Sequence, residues 1–531
     1  MKGLFNIKRY LSFFIALLML TASCSIKEKQ PPEPDNDEGE LIIRDSNSNF
    51  RFAAEEPEGF LPTEKISPSF AETLELIYEP MFDFDEELNP IPVLAESCTA
   101  VSPTQYRVTL KQGVKWHDGT DFNANDVIYT FNALKGSESV FAADVKKITQ
   151  ADFVSRTKVL FTLSEPTANF VGLLSFPIIK RNTPSGEKSF SPNGTGPYKF
   201  AEKKNNTYFF DKNEAWHGGD ASDKRISITL MKDKESAVYA FEANEADVIS
   251  SKLMDLSKNT PRGQVSVQNY TSNNLTFLGM NNTEGILSVP EIRCAISYLI
   301  DKQAIIDNDV YGRGEAAELP VYPRAWFCNT SGDKLEVKAD ASYLEGLLNE
   351  NGWFMESGMF VKDFGKYKSE LTLSVLVNSE SSEKTAIAKS IAQTLGQSGI
   401  AVKIKAVPYE QYVGRIRSMD YSMFIGEIAM DKNMDPSGLV KSGANYFGYS
   451  SREMDDALSN MCRGGTNEEL SAGYSEFAGV FMREMPFVPL FFRKEAMIST
   501  AALAGFGMPN YCKTYRNVEN WYISQKVELK D

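Results

Sequence analysis

Apolar side chains recur at two different spacings along the chain, and the spacing changes from one segment to the next. From Tyr106 to Trp116 the run YRVTLKQGVKW alternates apolar and polar positions, which predicts paired strands, and His117-Asp118-Gly119 follows as a turn. The period then lengthens. Asn123 stands as an N-cap with Asp126 three residues on, and Val127, Phe131 and Leu134 fall on one helical face. Further along, Ser288 and Glu291 around Pro290 predict a capping box. Behind it Ile292, Ala295, Ile296, Leu299 and Ile300 form a buried stripe. Between Leu371 and Ile428 the order is strand (LTLSVLV), helix with Ile387, Ile391 and Leu395 inward, strand (IAVKIKAV), short helix, strand (YSMFIGEI). Such alternation predicts an α/β protein, a sheet with helices on its faces.

The N-terminus carries a different signal. Lys2, Lys8 and Arg9 precede the apolar run Tyr10 to Leu20, and small residues Thr21-Ala22-Ser23 lead to Cys24. This is a secretion signal over residues 1–23, too short to span a bilayer, and no later stretch approaches the roughly 20 apolar residues of a transmembrane helix. The string LTASC resembles a bacterial lipoprotein box with its leucine one place early, which implies lipid attachment at Cys24. Plain signal cleavage ahead of an ordinary cysteine is the alternative. Residues 24–40 read as a flexible linker, since KEKQPPEPDNDEGE from Lys27 to Glu40 has no apolar residue to bury.

Charge narrows the partners. Removing the three positive residues of the signal takes the net charge from -15 to -18. So acidic a surface disfavours nucleic acid and anionic lipid as partners, and the N-terminal lipid is expected to be the sole contact with the membrane.

Candidate chemistry is sparse. With Cys24 assigned to lipid, Cys98, Cys294, Cys328, Cys462 and Cys512 remain, an odd number that argues against a full disulfide framework while leaving one bridge open. Cys98 and Cys294 lie among apolar residues and read as small hydrophobes. His117 and His217, the two histidines, lack Cys, His or acidic neighbours at metal-ligand spacing, so no metal and no cofactor is expected. Serine-nucleophile and phosphate-cradle motifs are absent; in Gly194-Thr195-Gly196-Pro197 the proline removes an amide that a phosphate would need. Acid pairs such as Asp431 with Asp435 or Glu55 with Glu56 arise by chance among 71 acidic residues. The residues point to binding and not to an enzyme.

Several strings, in order, carry a family likeness: Tyr78-Glu79-Pro80, PVLAES at Pro92, GVKWHDGTDFNANDVIYTF, NGTGPYKF at Asn193, AWHGGDASDKRI at Ala215, EIRCAISYLIDKQAII at Glu291, SGIAVKIKAVPYEQY at Ser398 and PFVPLFFRKEAMIS at Pro486. Together they resemble the family 5 extracellular solute-binding proteins, which include oligopeptide-, dipeptide- and nickel-binding proteins of ABC importers. The resemblance implies a two-lobed periplasmic-binding-protein-like fold, type II, of the large cluster with an extra subdomain, joined by two crossing segments. Lobe I would take residues 41–71, 191–278 and 488–531, with the subdomain inserted at 72–190; lobe II would take 279–487. The crossings would fall near LGMNN and MPFVP.

The same resemblance places the ligand. Backbone edges at Ile66-Ser67-Pro68 and at Gly426-Glu427-Ile428 would pair with a peptide whatever its side chains. An aspartate four places before a proline would meet the peptide's α-ammonium, but Lys432 stands there. Asp431 serves if the loop carries one extra residue, with Asp435 as the fallback. Glu427, where an aromatic is common, would favour basic ligands, while His117 and His217 read as turn and loop structure and Arg415 and Arg417 as solvated. The implied protein is a monomer outside the cytoplasmic membrane, or periplasmic in a cell with an outer membrane. It would hand oligopeptides to a permease; a sensor of the same fold and a binder of nickel chelates are the alternatives. Cys24→Ser should move the protein from the membrane fraction to the soluble extracytoplasmic fraction, and an unchanged membrane association would remove the lipid assignment.

Overall fold

The computed structural model describes residues 40–44, 49–184, 191–222, 225–253, 265–328, 341–443, 445–463 and 465–528; Cys24 and the linker ahead of Glu40 lie outside them. The described residues fall into two compact units, residues 40–44 with 524–528, and the described residues from 49 to 523. In the first, Glu40–Arg44 pairs antiparallel with the chain's last strand, from Glu40 opposite Glu528 to Arg44 opposite Ser524.

The second unit is organised by two long antiparallel strands, Val265–Met280 and Phe487–Thr500. Each belongs at one end to one half of an 11-stranded sheet and at its other end to the other half. On one side follow Val248–Ser250, Phe50–Glu55, Ile226–Met231, Thr207–Lys212 and Tyr198–Lys204. On the other lie Met423–Ala429, Thr372–Asn378 and Ala401–Val407, while Gly314–Ala316 pairs with Phe487–Thr500 off this path. The register of the two long strands shifts between Thr271 and Leu275, where the chain passes from one half to the other.

The predicted alternation between Leu371 and Ile428 is observed. Thr372–Asn378, helix Ser382–Gln397, Ala401–Val407, helix Tyr409–Arg417 and Met423–Ala429 follow one another, and the strands pair in parallel. Ile387, Ile391 and Leu395 are fully buried under the sheet. A separate antiparallel sheet of Ala95–Ser102, Gln105–Leu110, Lys158–Leu163 and Ile148–Ser155 packs the helix Ala124–Leu134. That helix has the predicted capping box, with Asn123 and Asp126 each bonding the other's backbone, and it buries Val127, Phe131 and Leu134.

Two local expectations are corrected. The run Tyr106 to Trp116 forms one strand, Gln105–Leu110, and not a pair; Gly113 at φ +80° turns the chain, and Lys115 then makes an isolated bridge to Asp121. Ser288 does not cap its helix. It ends a short 3-10 turn, Gly285–Ser288, and donates to Gly285 O at 2.8 Å, leaving Val289 as N-cap without a side-chain bond. The proline at 290 has no amide to satisfy, so one of the orphan donors that a cap would serve is already absent. Ile292, Ala295, Ile296 and Ile300 are buried as the stripe predicts, with Leu299 partly so. The buried Arg293 ties this helix to the chain ahead of the second long strand, donating to Leu287 O and Met485 O at 2.9 Å each and to Glu484 O. All five described cysteines are free thiols.

The NGTGPYKF segment is fixed by close backbone approach. Gly196 N donates to Ile77 O at 2.9 Å, His117 N donates to Gly194 O at 2.9 Å, and a Cβ on Gly194 would fall on the Ile77 carbonyl. Gly194→Ala should therefore lower the stability to urea by about 2 kcal/mol through overpacking. A loss under ~0.5 kcal/mol, within the range of neutral surface changes, would mean that the segment can move aside.

Candidate functional site

The strand Met423–Ala429 is bonded fully on one side only. Asn281 N donates to Ser422 O and Met430 N to Asn273 O, both at 2.9 Å. In an antiparallel ladder the residues of such bonded pairs turn both backbone groups to the partner, so Gly426 and Ile428 face Val265–Met280. Ile425, Glu427 and Ala429 turn the other way. There Thr372–Asn378 reaches only Met423 and Phe424, and the Tyr412 hydroxyl donates to Ile425 O at 2.6 Å. The N–H and C=O groups of Glu427 and Ala429 meet no strand among the described residues. Of the three residues singled out here from sequence, Glu427 supplies the open backbone, while Gly426 and Ile428 face inward. Ala429 had no side-chain signal to mark it.

The lobe I candidates sit at the start of the helix Pro68–Leu74. Ser67 caps it, accepting from Phe70 N at 3.3 Å and donating to Glu55 O at 3.4 Å, and its carbonyl enters the helix by accepting from Ala71 N. Pro68 has no amide. Among the described residues no hydrogen bond reaches the backbone N–H and C=O of Ile66 or the Ser67 N–H; Ile66 is buried and Ser67 half-buried. Among the described residues no hydrogen bond or ion pair joins Ile66–Pro68 to Gly426–Asp435; Ser67 bonds to Glu55, on a strand of one half of the sheet, and Met423–Ala429 belongs to the other half.

The loop after Met423–Ala429 separates its acids into two roles. Asp435 is 6% exposed, and its carboxylate is saturated. Lys147 Nζ at 2.8 Å and Thr167 Oγ1 at 2.7 Å reach Oδ2, while Ser437 N at 2.9 Å and Ser437 Oγ at 2.5 Å reach Oδ1. Burial works against its charge, but Lys147 and these donors hold its pKa below the ordinary aspartate value. Asp431 is different: its carboxylate keeps solvent access and makes no hydrogen bond or ion pair among the described residues. Loss of water pushes its pKa up, against the pull of Lys147. Lys432 Nζ pairs with buried Asp144 at 2.9 Å, and Asn433 donates to Thr167 Oγ1 at 2.9 Å and Ala168 O at 2.7 Å. Lys147, Asp144 and Thr167 were not apparent as site residues from the sequence, since nothing local marks a partner some 270 positions away.

Glu427 has a side chain that is already paired. Arg493, on the second long strand, reaches it at 3.1 Å and holds Glu383 through both guanidinium nitrogens at 2.6 and 3.1 Å; Lys384 adds a contact to Glu427 at 3.2 Å. Burial disfavours the Glu427 charge, but Arg493 and Lys384 outweigh it and lower the pKa. Two acids and two bases cancel, so Glu427 presents no net charge with which to select a basic ligand.

With this geometry in place, the sequence description "Bacterial extracellular solute-binding proteins, family 5 Middle" matches residues 89–449. The chain belongs to this family. It is 23% identical to the oligopeptide-binding protein AppA of Bacillus subtilis (strain 168), over 85% of this chain and 87% of that one. It is 24% identical to heme-binding protein A of Haemophilus influenzae, over 84% and 87%. Among solved structures it is similar to the unliganded open form of the periplasmic murein tripeptide-binding protein MppA, with a TM-score of 0.78 and 17% identity, covering 92% of this chain and 99% of that one. The fold is thus that of the periplasmic binding proteins, two lobes joined by two crossing strands. Family 5 proteins are extracytoplasmic solute-binding components of ABC importers.

In this family 5 protein both histidines are engaged in the framework. His217 Nε2 lies 2.8 Å from Glu79 Oε2, beside the Trp216 indole at 3.0 Å from Oε1. His117 accepts from Gly194 N at Nδ1, 3.1 Å, and so donates to Gly196 O from Nε2, 3.0 Å. That pattern requires the neutral ring, and burial pushes the His117 pKa down to about 4. The folded pKa lies below the ordinary 6.5, so the contribution to stability is full above that value and is lost as the pH falls toward about 4. Acidification across this window should cost about 3 kcal/mol, read as a falling melting temperature. His117→Gln should flatten the dependence, and an equally steep profile in that variant would assign it to other groups.

Proposed function

We propose that the protein is a lipid-anchored receptor that captures peptides with a free amino end between its lobes and delivers them to an importer permease. The observation that carries this reading is the open backbone of Glu427 and Ala429 beside the carboxylate of Asp431, which makes no hydrogen bond or ion pair among the described residues. A peptide added along this edge would satisfy groups common to every sequence, and Ile66 and Ser67 would offer the same from lobe I. Asp431 lies two residues beyond Ala429, where the terminal ammonium of such a strand would neutralise it. Because Glu427 is ion-paired, the reading does not favour basic side chains.

Lobe closure would bury these bonds and strengthen them, and would present the permease with a surface that the open form lacks. The similarity to AppA supports a peptide cargo. The secretion signal, Cys24 and the linker support attachment to the outer face of the membrane.

Mass spectrometry of material released from the natively purified protein should find peptides with unmodified amino ends. Asp431→Asn should weaken binding of those peptides by roughly 10- to 100-fold, the cost of one charge-assisted bond. Release of heme or a metal chelate, with no peptide, would overturn the reading.

A further inference from the structure

The second acid of the loop has a role that depends on the first. We propose that Asp435 is a specificity-determining positioning residue: it holds the Lys147 ammonium on itself and so leaves Asp431 open to the amino group of a ligand. This rests on the reading of Asp431 as the ammonium anchor.

The geometry around the loop is one of shared charge. Two lysines from opposite sides of the contact, Lys147 and Lys432, stand among three carboxylates, Asp144, Asp431 and Asp435. Asp144 takes Lys432 at 2.9 Å and Asp435 takes Lys147 at 2.8 Å, which leaves one negative charge, on Asp431, without a contact among the described residues. Lys147 is the cation that acts most strongly on Asp431, with the exposed Lys146 behind it.

What keeps Lys147 on Asp435 is the company of that carboxylate. Asp435 has a side chain 1% exposed and donors from Thr167 and Ser437, and Thr167 Oγ1 also lies 3.2 Å from Lys147 Nζ. The turn from Asp431 to Met434, closed by Met434 N donating to Asp431 O at 2.8 Å, holds the two acids on one short loop. If Asp435 lost its charge, the Lys147 ammonium, mostly buried, would keep Thr167 Oγ1 but no counter-charge, and Asp431 is the other carboxylate that acts on it. Lys147 would then occupy the place of the ligand's ammonium.

The test uses the full protein and a degenerate pentapeptide library in which half of each sequence is N-acetylated, with captured peptides counted by mass spectrometry. The wild type should enrich free over acetylated peptides. Asp435→Asn should lower that ratio by roughly tenfold, and adding Lys147→Met should restore it, since the competing cation is gone. Thr167→Val, which only loosens the pair, should lower the ratio less and serves if Asp435→Asn is unstable. A purely structural role would reduce capture of both peptide forms alike; an unchanged ratio in Asp435→Asn and Thr167→Val overturns the proposal while leaving Asp431 as anchor. Absence of enrichment in the wild type, with Asp431→Asn indistinguishable from it, overturns the anchor itself.

Discussion

A backbone donor or acceptor must find a partner, and the strand Met423–Ala429 finds partners on one side only. Its inner side is fixed by seven consecutive positions opposite Asn274–Met280, so the direction of every N–H and C=O along it is fixed as well. The neighbouring parallel strand departs after Phe424, and the Tyr412 hydroxyl occupies the next carbonyl. Glu427 and Ala429 are left as a short interrupted edge. Long exposed edges invite aggregation, and this one is kept to two residues.

Charge is arranged around that edge so that little of it is unbalanced. Arg493 and Lys384 neutralise Glu427 and Glu383, and Lys147 and Lys432 neutralise Asp435 and Asp144. Each group is partly or wholly removed from water, where an unpaired charge is costly. Asp431 alone in this loop keeps its carboxylate without a contact among the described residues, and it keeps solvent access while doing so. On the proposed reading, the open backbone edge meets the ligand's uniform backbone and the uncancelled charge meets its cationic end. The long strand is part of the same arrangement: Arg493 extends from Phe487–Thr500 to Glu427 on the strand that bears the edge.

Much was readable from residues in order. The capping box at Asn123, the strand and helix alternation from Leu371 to Ile428 and the buried stripe behind Pro290 depend on neighbours within a few positions, where spacing decides the outcome. The family was readable too, because collinear motifs survive at identities near 23%. The Ser288 cap failed for a local reason, a 3-10 turn that competes for the same hydroxyl.

The sequence by itself determined the helix and strand order from Leu371 to Ile428, the two-lobed family fold and the presence of two acids in the loop after Ile428. Tertiary structure alone decided which of those acids is spent and which way the edge faces. Asp435 is paired by Lys147, 288 positions earlier, and the outward turn of Glu427 and Ala429 follows from registry with a strand some 150 positions away. Hydrogen-bond direction and charge pairing are set by what lies across a gap in space, and side-chain order along the chain carries no record of that.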